Sequence, residues 1–222
     1  MSTLSDRYAH VKAMMPSGVK LIAVSKKRTV EEIKALYDLG HRAFGENYPQ
    51  ELREKQPQLP DDIEWHFIGH LQTNKVKYIA PFVHLVHTVD GTKVLDEVHK
   101  RATAANRTID VLVQVHIASE ETKFGLDANE VIELLGQWDP DRWARVRLRG
   151  LMGMATNTAD ADLVRSEFEG LRELFMTIRK GEKFDPDEFT ELSMGMSGDL
   201  QEALSAGSTM VRIGTALFGL RD

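Results

Sequence analysis

The sequence contains no cysteine, which excludes disulfides, thiolate nucleophiles and cysteine-ligated metal centres. It has no run approaching the ~18 apolar residues that a membrane span needs, and residues 1–18 lack the continuous apolar segment of a secretory signal. Basic residues are not in excess, since 28 Lys and Arg stand against 34 Asp and Glu, a formal net charge of −6. General nucleic-acid binding needs surplus positive charge. We therefore expect no nucleic-acid partner, no membrane association and a cytoplasmic location.

The 222 residues instead show a regular alternation of short apolar runs and amphipathic segments, without a linker. Eight β-branched, apolar runs can be distinguished, beginning with residues 19–26, and each of the first seven precedes a helical pattern. Strands that alternate with helices pair in parallel. Eight such units predict a single α/β domain over residues 1–222, a (β/α)8 barrel of the TIM type with an additional N-terminal helix over about residues 1–15. An open doubly wound sheet is the alternative.

The first strand ends on a lysine, Lys26, after an otherwise apolar run. Active sites of such barrels lie at the C-terminal ends of the strands, and a buried ammonium is unfavourable unless it is neutralised. Condensation with a carbonyl removes the charge, and desolvation makes the amine more nucleophilic. Lys26 is therefore a candidate Schiff-base lysine, although a side chain that reaches solvent from a strand end gives the same pattern.

The loops after the last two strands resemble a phosphate-binding pair. Ser197 is predicted as the N-cap of the helix after strand seven, with Gly198 leaving backbone N–H groups accessible. Gly214 and Thr215 end strand eight. Barrels commonly bind phosphate with these two loops. Each loop alone is also explained by a helix cap or a turn, whereas the two together favour a phosphate site.

Arg212 lies on the same face of the last strand as Gly214, because side chains alternate along a strand. A buried guanidinium needs a hydrogen-bond acceptor. A pyridine ring nitrogen is one candidate, and a structural carboxylate such as Glu46, Glu191 or Glu202 is the other.

Other site patterns are missing. The eight histidines show no HExxH or comparable spacing, so no metal site is expected. The SGD segment lacks the full GxGxxG and GxxxxGK patterns, which argues against Rossmann and P-loop nucleotide binding.

Several segments together resemble a known family, the pyridoxal phosphate homeostasis proteins, which are single-domain relatives of the alanine racemase barrel. They are LIAVSK, FGENY, WHFIGHLQTNK, SEETKFG, LSMGMSGD and GSTMVRIGTALFG. The similarity extends from strand one to the end of strand eight. It implies pyridoxal 5′-phosphate as cofactor, bound as a Schiff base to the lysine of AVSK, which is Lys26.

The resemblance implies further binding residues. The asparagine of GENY, Asn47, lines the cofactor in this family. The serine of GMS, Ser197, resembles part of the phosphate site, together with Gly214 and Thr215 of RIGT. Arg212 of VRIGT resembles the arginine that faces the pyridine nitrogen.

One stretch departs from the family pattern. After AVSK the family usually has Thr-Lys-Pro, whereas this sequence has Lys27, Arg28 and Thr29. The second lysine adds an amine beside Lys26. Strand alternation would turn Lys27 to the opposite side, so we assign the Schiff base to Lys26.

The family resemblance implies a protein that holds pyridoxal phosphate and supplies it transiently to apo-enzymes, as a monomer without enzyme-like turnover. A fold-type III amino-acid racemase or decarboxylase is the alternative, and a Schiff-base aldolase acting on a phosphorylated sugar is a third. Racemase relatives carry an additional β-domain and a base from the partner subunit, for which the sequence offers no counterpart. We therefore expect no catalytic residue.

Overall fold

A computed structural model describes residues 3–120 and 123–220 of the chain. Within these ranges eight parallel strands pair in chain order, and the last strand pairs with the first to close a barrel. The strands are β1 (Lys20–Val24), β2 (Ala43–Glu46), β3 (Glu64–Phe67), β4 (Leu85–Val89), β5 (Ile109–Val115), β6 (Val146–Gly153), β7 (Glu191–Ser193) and β8 (Met210–Ile213). The closed sheet confirms the predicted barrel.

Helices surround the barrel and follow the strands in the predicted alternation. They are α1 (Leu4–Met14), α2 (Val30–Asp38), α3 (Pro49–Lys55), α4 (Val76–Ile79), α5 (Thr92–Ala104), α6 (Ala128–Gly136), α7 (Ala161–Lys180), α8 (Leu200–Ser205) and α9 (Thr215–Phe218), with 3-10 turns at Gln56–Gln58 and Thr73–Lys75. None of the helices in the described part of the chain has the length and apolarity of a membrane span.

Local sequence signals set several helix ends. Thr29 and Glu32 form a capping box at the start of α2, each side chain accepting from the other's backbone N–H. Gly40 follows this helix with a φ of +92°, the left-handed conformation that glycine adopts readily. Pro49 occupies the first position of α3. The positions of these helix ends are therefore determined by residues close to them in the sequence.

The N-terminal helix α1 flanks the barrel. Thr3 and Asp6 form its capping box. Arg7 donates from Nε to the carbonyl of Leu217 at 2.6 Å and from Nη2 to that of Phe218 at 3.4 Å. The helix therefore packs on α9, where the chain returns after β8.

Alternation along the strands separates two buried regions. In β1, Leu21 and Ala23 belong to the core between sheet and helices, whereas Ile22 points into the barrel. The barrel interior has an apolar cluster of Ile22, Ala43, Leu85, Leu112, Met152 and Met210. It also contains buried polar side chains, namely His66, His87, Gln114, Ser193 and Arg212. Buried polar groups need hydrogen-bond partners. The barrel interior is therefore partly a polar network and not only an apolar core.

Candidate functional site

Lys26 lies just beyond the C-terminal end of β1, in a turn and not in the strand. The strand ends at Val24, and the N–H of Arg28 donates to the carbonyl of Ser25 at 3.0 Å. Lys26 is half-buried, whereas Lys27 is exposed and has a φ of +59°. The prediction that strand one continues to Lys26 is therefore wrong. The two lysines have different environments because the chain turns between them, not because a strand alternates.

A buried ion pair supports this turn. Glu46, at the end of β2, is fully buried and accepts from Lys55 Nζ at 2.8 Å and from Ser25 Oγ at 2.7 Å. Lys55 also donates to the Ser25 carbonyl at 2.9 Å and to Glu51 at 2.6 Å. Glu51 in turn accepts from the backbone N–H of Lys27 at 2.6 Å. These contacts to Ser25 and Lys27 thus link the ends of β1 and β2 on either side of Lys26 in the chain.

The charge on Glu46 depends on its partner. Burial raises the pKa of the Glu46 carboxyl, and the ammonium of Lys55 opposes that rise. No pattern in the sequence indicates this pair, because Lys55 resembles an ordinary surface lysine on an amphipathic helix.

Asn47 directly follows β2, the strand that pairs with β1. Val24 and Gly45 are register partners in the β1–β2 pair, and the two candidate residues each follow their partner by two positions. The Oδ1 atom of Asn47 is buried and has no hydrogen-bond partner in the described parts of the chain. An unsatisfied buried carbonyl fits a residue that contacts a ligand.

Arg212 is buried inside the barrel on β8, next to β1, where its register partner is Ile22. Its Nη1 donates to Ser193 Oγ at 2.7 Å and its Nη2 to the carbonyl of Gly153 at 3.0 Å. Burial lowers the pKa of the guanidinium to about 10, so the group stays charged at neutral pH.

These contacts differ from the carboxylate partners considered for Arg212. Glu46 pairs with Lys55, and Glu191 accepts from Thr209 at 3.2 Å. Alternation in β8 indicated the correct face for the arginine, but its partners come from β6 and β7, and their positions depend on the register of these strands. Ser193, within the LSMGMSGD segment, could have been found as a polar residue on the strand before β8.

Ser193 begins a buried chain of hydrogen bonds across the barrel. Its Oγ lies 3.0 Å from His87 Nδ1, and His87 Nε2 lies 2.9 Å from His66 Nδ1. Burial lowers the pKa of His66 to about 4 and that of His87 well below its usual value, so both rings are neutral. Arg212 can only donate, whereas each neutral ring donates through one nitrogen and accepts through the other. Two opposite proton arrangements therefore satisfy the chain between Ser193 and His66.

The loop after β7 is exposed, and its helix cap differs from the prediction. The N-cap of α8 is Asp199, not Ser197, because the helix begins only at Leu200. Asp199 Oδ1 accepts from the N–H of Met196 at 2.5 Å and so closes the loop across Ser197. The hydroxyl of Ser197 is therefore not used for helix capping, and its side chain lies on the surface.

The loop after β8 lies close to that after β7. The prediction that Gly214 and Thr215 end strand eight is wrong, because β8 ends at Ile213 and a short helix begins at once. Gly214 is the N-cap of α9, and Thr215, its first residue, is exposed. A Cβ at Gly214 would lie 3.3 Å from Cβ of Val24, so this position packs against the end of β1. A cavity of about 300 Å³ is lined by Ser197 after β7, by Ala216 of α9, and by Val11 and Met14 of α1.

The structure thus brings the predicted site residues to one sector of the C-terminal rim. They follow or lie on β7, β8, β1 and β2, which are consecutive around the barrel. In that order the residues are Ser197, Arg212, Gly214, Thr215, Lys26 and Asn47. The arrangement offers a primary amine, exposed hydroxyls and a buried cation within one short arc.

The whole chain, residues 1–222, matches the family described as alanine racemase, N-terminal domain. The pyridoxal phosphate homeostasis protein of Vibrio alginolyticus is 39% identical, over 100% of this chain and 99% of that protein. The protein of the same name from Escherichia coli K12 is 38% identical over 93% of this chain and 88% of its own length.

Solved structures give the same picture. PipY of Synechococcus elongatus with PLP bound is 31% identical, has a TM-score of 0.86, and is matched over 98% of this chain and 100% of its own. Alanine racemase of Clostridium difficile has a TM-score of 0.75 at 14% identity, over 98% of this chain and 56% of that enzyme. The racemase likeness shows the shared barrel fold alone.

Proposed function

This chain belongs to the family of pyridoxal phosphate homeostasis proteins, and we propose that it holds pyridoxal 5′-phosphate on Lys26 at the rim described above. The observation that carries the proposal is the convergence of Lys26, Asn47, Arg212 and the two exposed loops on consecutive strands. The PLP-bound relative supports the identity of the cofactor.

The residues present fit this cofactor. Lys26 supplies the amine for a Schiff base, and the Oδ1 of Asn47, just after the neighbouring strand β2, is buried and unsatisfied. Ser197, Gly214 and Thr215 supply hydroxyl and backbone donors for a phosphate, and Arg212 supplies a donor for the ring nitrogen. When bound, pyridoxal phosphate contributes a reactive aldehyde and an electron-withdrawing ring.

The absorbance spectrum of the purified protein tests the proposal. A bound Schiff base should give a yellow protein whose visible band disappears on borohydride reduction and shifts in acid. A colourless protein that takes up no pyridoxal phosphate would contradict the proposal. If borohydride instead linked a phosphorylated sugar covalently to the colourless protein, the aldolase alternative would be established.

A double variant tests the phosphate assignment. Each hydrogen bond to an ionised group contributes ~1.5–3 kcal/mol, so Ser197→Ala with Thr215→Ala should weaken pyridoxal phosphate binding by ~10-fold or more. Pyridoxal, which lacks the phosphate, should bind almost as before. Both affinities can be measured by absorbance titration. Equal losses for the two ligands would show that the hydroxyls support the fold instead.

We propose that the chain is a carrier without enzyme-like turnover. Arg212 retains its proton when it donates a hydrogen bond, because its pKa of about 10 is well above neutrality. A ring nitrogen held in this way gains little positive charge and withdraws electrons weakly. The names of the relatives, which describe homeostasis and not a reaction, support the same view.

Chiral chromatography checks the absence of turnover. Stoichiometric protein incubated with each common L-amino acid should show no racemisation or decarboxylation at enzyme-like rates of ~1–1000 per second. Slow exchange of an α-proton by Lys26 is compatible with this result. Many turnovers with one amino acid, abolished by Lys26→Ala, would establish a fold-type III enzyme.

We also propose that the chain acts as a monomer and passes its cofactor transiently to apo-enzymes. The exposure of Lys27, Ser197 and Thr215 around the site supports access from solvent. Sedimentation equilibrium would measure the oligomeric state. Reactivation of an apo-enzyme by the loaded protein, faster than by spontaneously released cofactor, would measure the transfer.

A further inference from the structure

A second cluster of ligand-type side chains lies at the opposite end of the barrel from Lys26. Glu64 begins β3, His66 lies two residues later, and His84 directly precedes β4. One ligand atom from each of the three lies within 4.8 Å of the others. We propose that these residues bind a divalent transition metal, with Zn²⁺ as the cation that fits best.

His66 provides the strongest evidence for a ligand at this position. The residue is fully buried, and its Nδ1 pairs with His87. Its Nε2 atom is buried without a hydrogen-bond partner in residues 3–120 and 123–220. The nearest carboxylate oxygen, Glu64 Oε2, is 4.0 Å away, too far for a hydrogen bond. Buried ring nitrogens are normally satisfied, so Nε2 is available to a bound cation.

The spacing suits a bound cation. Zinc binds imidazole nitrogen and carboxylate oxygen at ~2.0–2.2 Å, so two ligands of one ion can lie up to about 4 Å apart. His66 is fixed in the core, whereas Glu64 is partly exposed and His84 is exposed. The two outer side chains can therefore close around an ion that His66 Nε2 holds. Two histidines and one carboxylate, with a fourth position open to water, form a known zinc-binding set.

His87 supplies the support that a metal-binding histidine usually has. Ligand histidines almost always donate their other ring N–H to a neighbouring group. In the arrangement that leaves His66 Nε2 unprotonated, His66 Nδ1–H donates to His87 Nε2, and His87 Nδ1–H donates to Ser193. The serine oxygen has two lone pairs and accepts from both His87 and Arg212. The buried chain is therefore compatible with metal binding without any change in heavy-atom positions.

One cation already competes for the cluster. Lys20 Nζ lies 2.6 Å from Glu64 Oε2, and its side chain is 39% exposed. A metal ion must displace this ammonium, which can move into solvent because it starts near the surface. Lys20 therefore weakens metal binding. Removing its charge should strengthen binding, whereas removing a ligand should weaken it.

Cobalt titration of the full-length, metal-stripped protein tests the proposal, because Co²⁺ bound with few ligands develops visible bands that the hydrated ion lacks. The wild-type protein should show one saturable site per chain, from which Zn²⁺ displaces Co²⁺. His84→Ala and Glu64→Gln should each weaken binding more than about ten-fold, since even outer-sphere partners contribute about 10–100-fold. Lys20→Met should tighten binding.

Two controls distinguish this site from other metal-binding groups. His10, exposed on α1, is far from the cluster in the chain, and His10→Ala should leave the titration unchanged. Lys26→Ala should also leave it unchanged, which separates this proposal from the proposed cofactor site. No saturable binding, equal losses for His10→Ala and His84→Ala, or weaker binding in Lys20→Met would overturn the proposal.

Discussion

Replacing Lys26 with alanine is expected to abolish covalent attachment of pyridoxal phosphate. The amine at the end of β1 is half-buried, and the ion pair that ties β1 to β2 contacts the neighbouring Ser25. After borohydride reduction and digestion, mass spectrometry of the wild-type protein should find the modification on Lys26. The variant should retain weaker, reversible binding through the phosphate and ring contacts, without the visible band.

Lys27→Ala is the matched control for this prediction. Lys27 is adjacent but exposed, and its backbone is in the left-handed conformation. Its replacement should therefore leave Lys26 as the modified residue. A modification found on Lys27 or Lys123 in the wild-type protein would contradict the assignment of the Schiff base to Lys26.

Replacing Lys55 with methionine should be the most destabilising of the substitutions considered. It removes the partner of the fully buried Glu46, and breaking one side of a buried pair typically costs about 3–5 kcal/mol. Urea denaturation monitored by circular dichroism would measure the change in the free energy of unfolding. Adding Glu46→Gln should recover part of the loss, because the amide carries no charge and can still accept from Ser25.

Lys34→Met provides the same substitution at an exposed ion pair. Lys34 and Asp38 are separated by one helical turn on α2, with both side chains about half exposed, and such pairs contribute ~0.3–0.5 kcal/mol. If Lys34→Met and Lys55→Met destabilised the protein equally, the buried network around Glu46 would not be a support of the fold.

The barrel could be predicted because its signals are local. The capping box of Thr29 and Glu32 and the proline at position 49 mark helix starts within a few residues. The alternation of such helices with apolar runs is typical of parallel sheets, and eight units are enough to close one. Arg212 could be placed on the last strand for the same reason, whereas Gly214 lies one residue beyond its end.

The contacts inside the barrel could not be predicted, because they depend on the register between strands. Arg212 meets Ser193 and Gly153 only after β6, β7 and β8 align. The cluster of Glu64, His66 and His84 likewise combines β3 with the loop before β4, and no ligand spacing in the sequence indicates it. Specific roles at the rim, such as those of Asn47 and Thr215, remain predictions that the variants above would test.

The turn at Lys26 and Lys27 could not be predicted for a different reason. A positive φ at a lysine is uncommon, and nothing in the letters VSKKR indicates it. After the end of β1 at Val24, the turn makes tertiary contacts, namely the hydrogen bonds from Lys55 to the Ser25 carbonyl and from the Lys27 N–H to Glu51.

The pairing of β1 with β8 has a consequence for synthesis on the ribosome. Lys20–Val24 is made early, but its partner Met210–Ile213 comes at the other end of the barrel sequence. At translation rates of about 5–20 residues per second, one edge of β1 waits roughly 10–40 s for that partner. An unpaired apolar strand is a template for pairing with other chains. The nascent chain, and not the finished barrel, is therefore the form most exposed to aggregation.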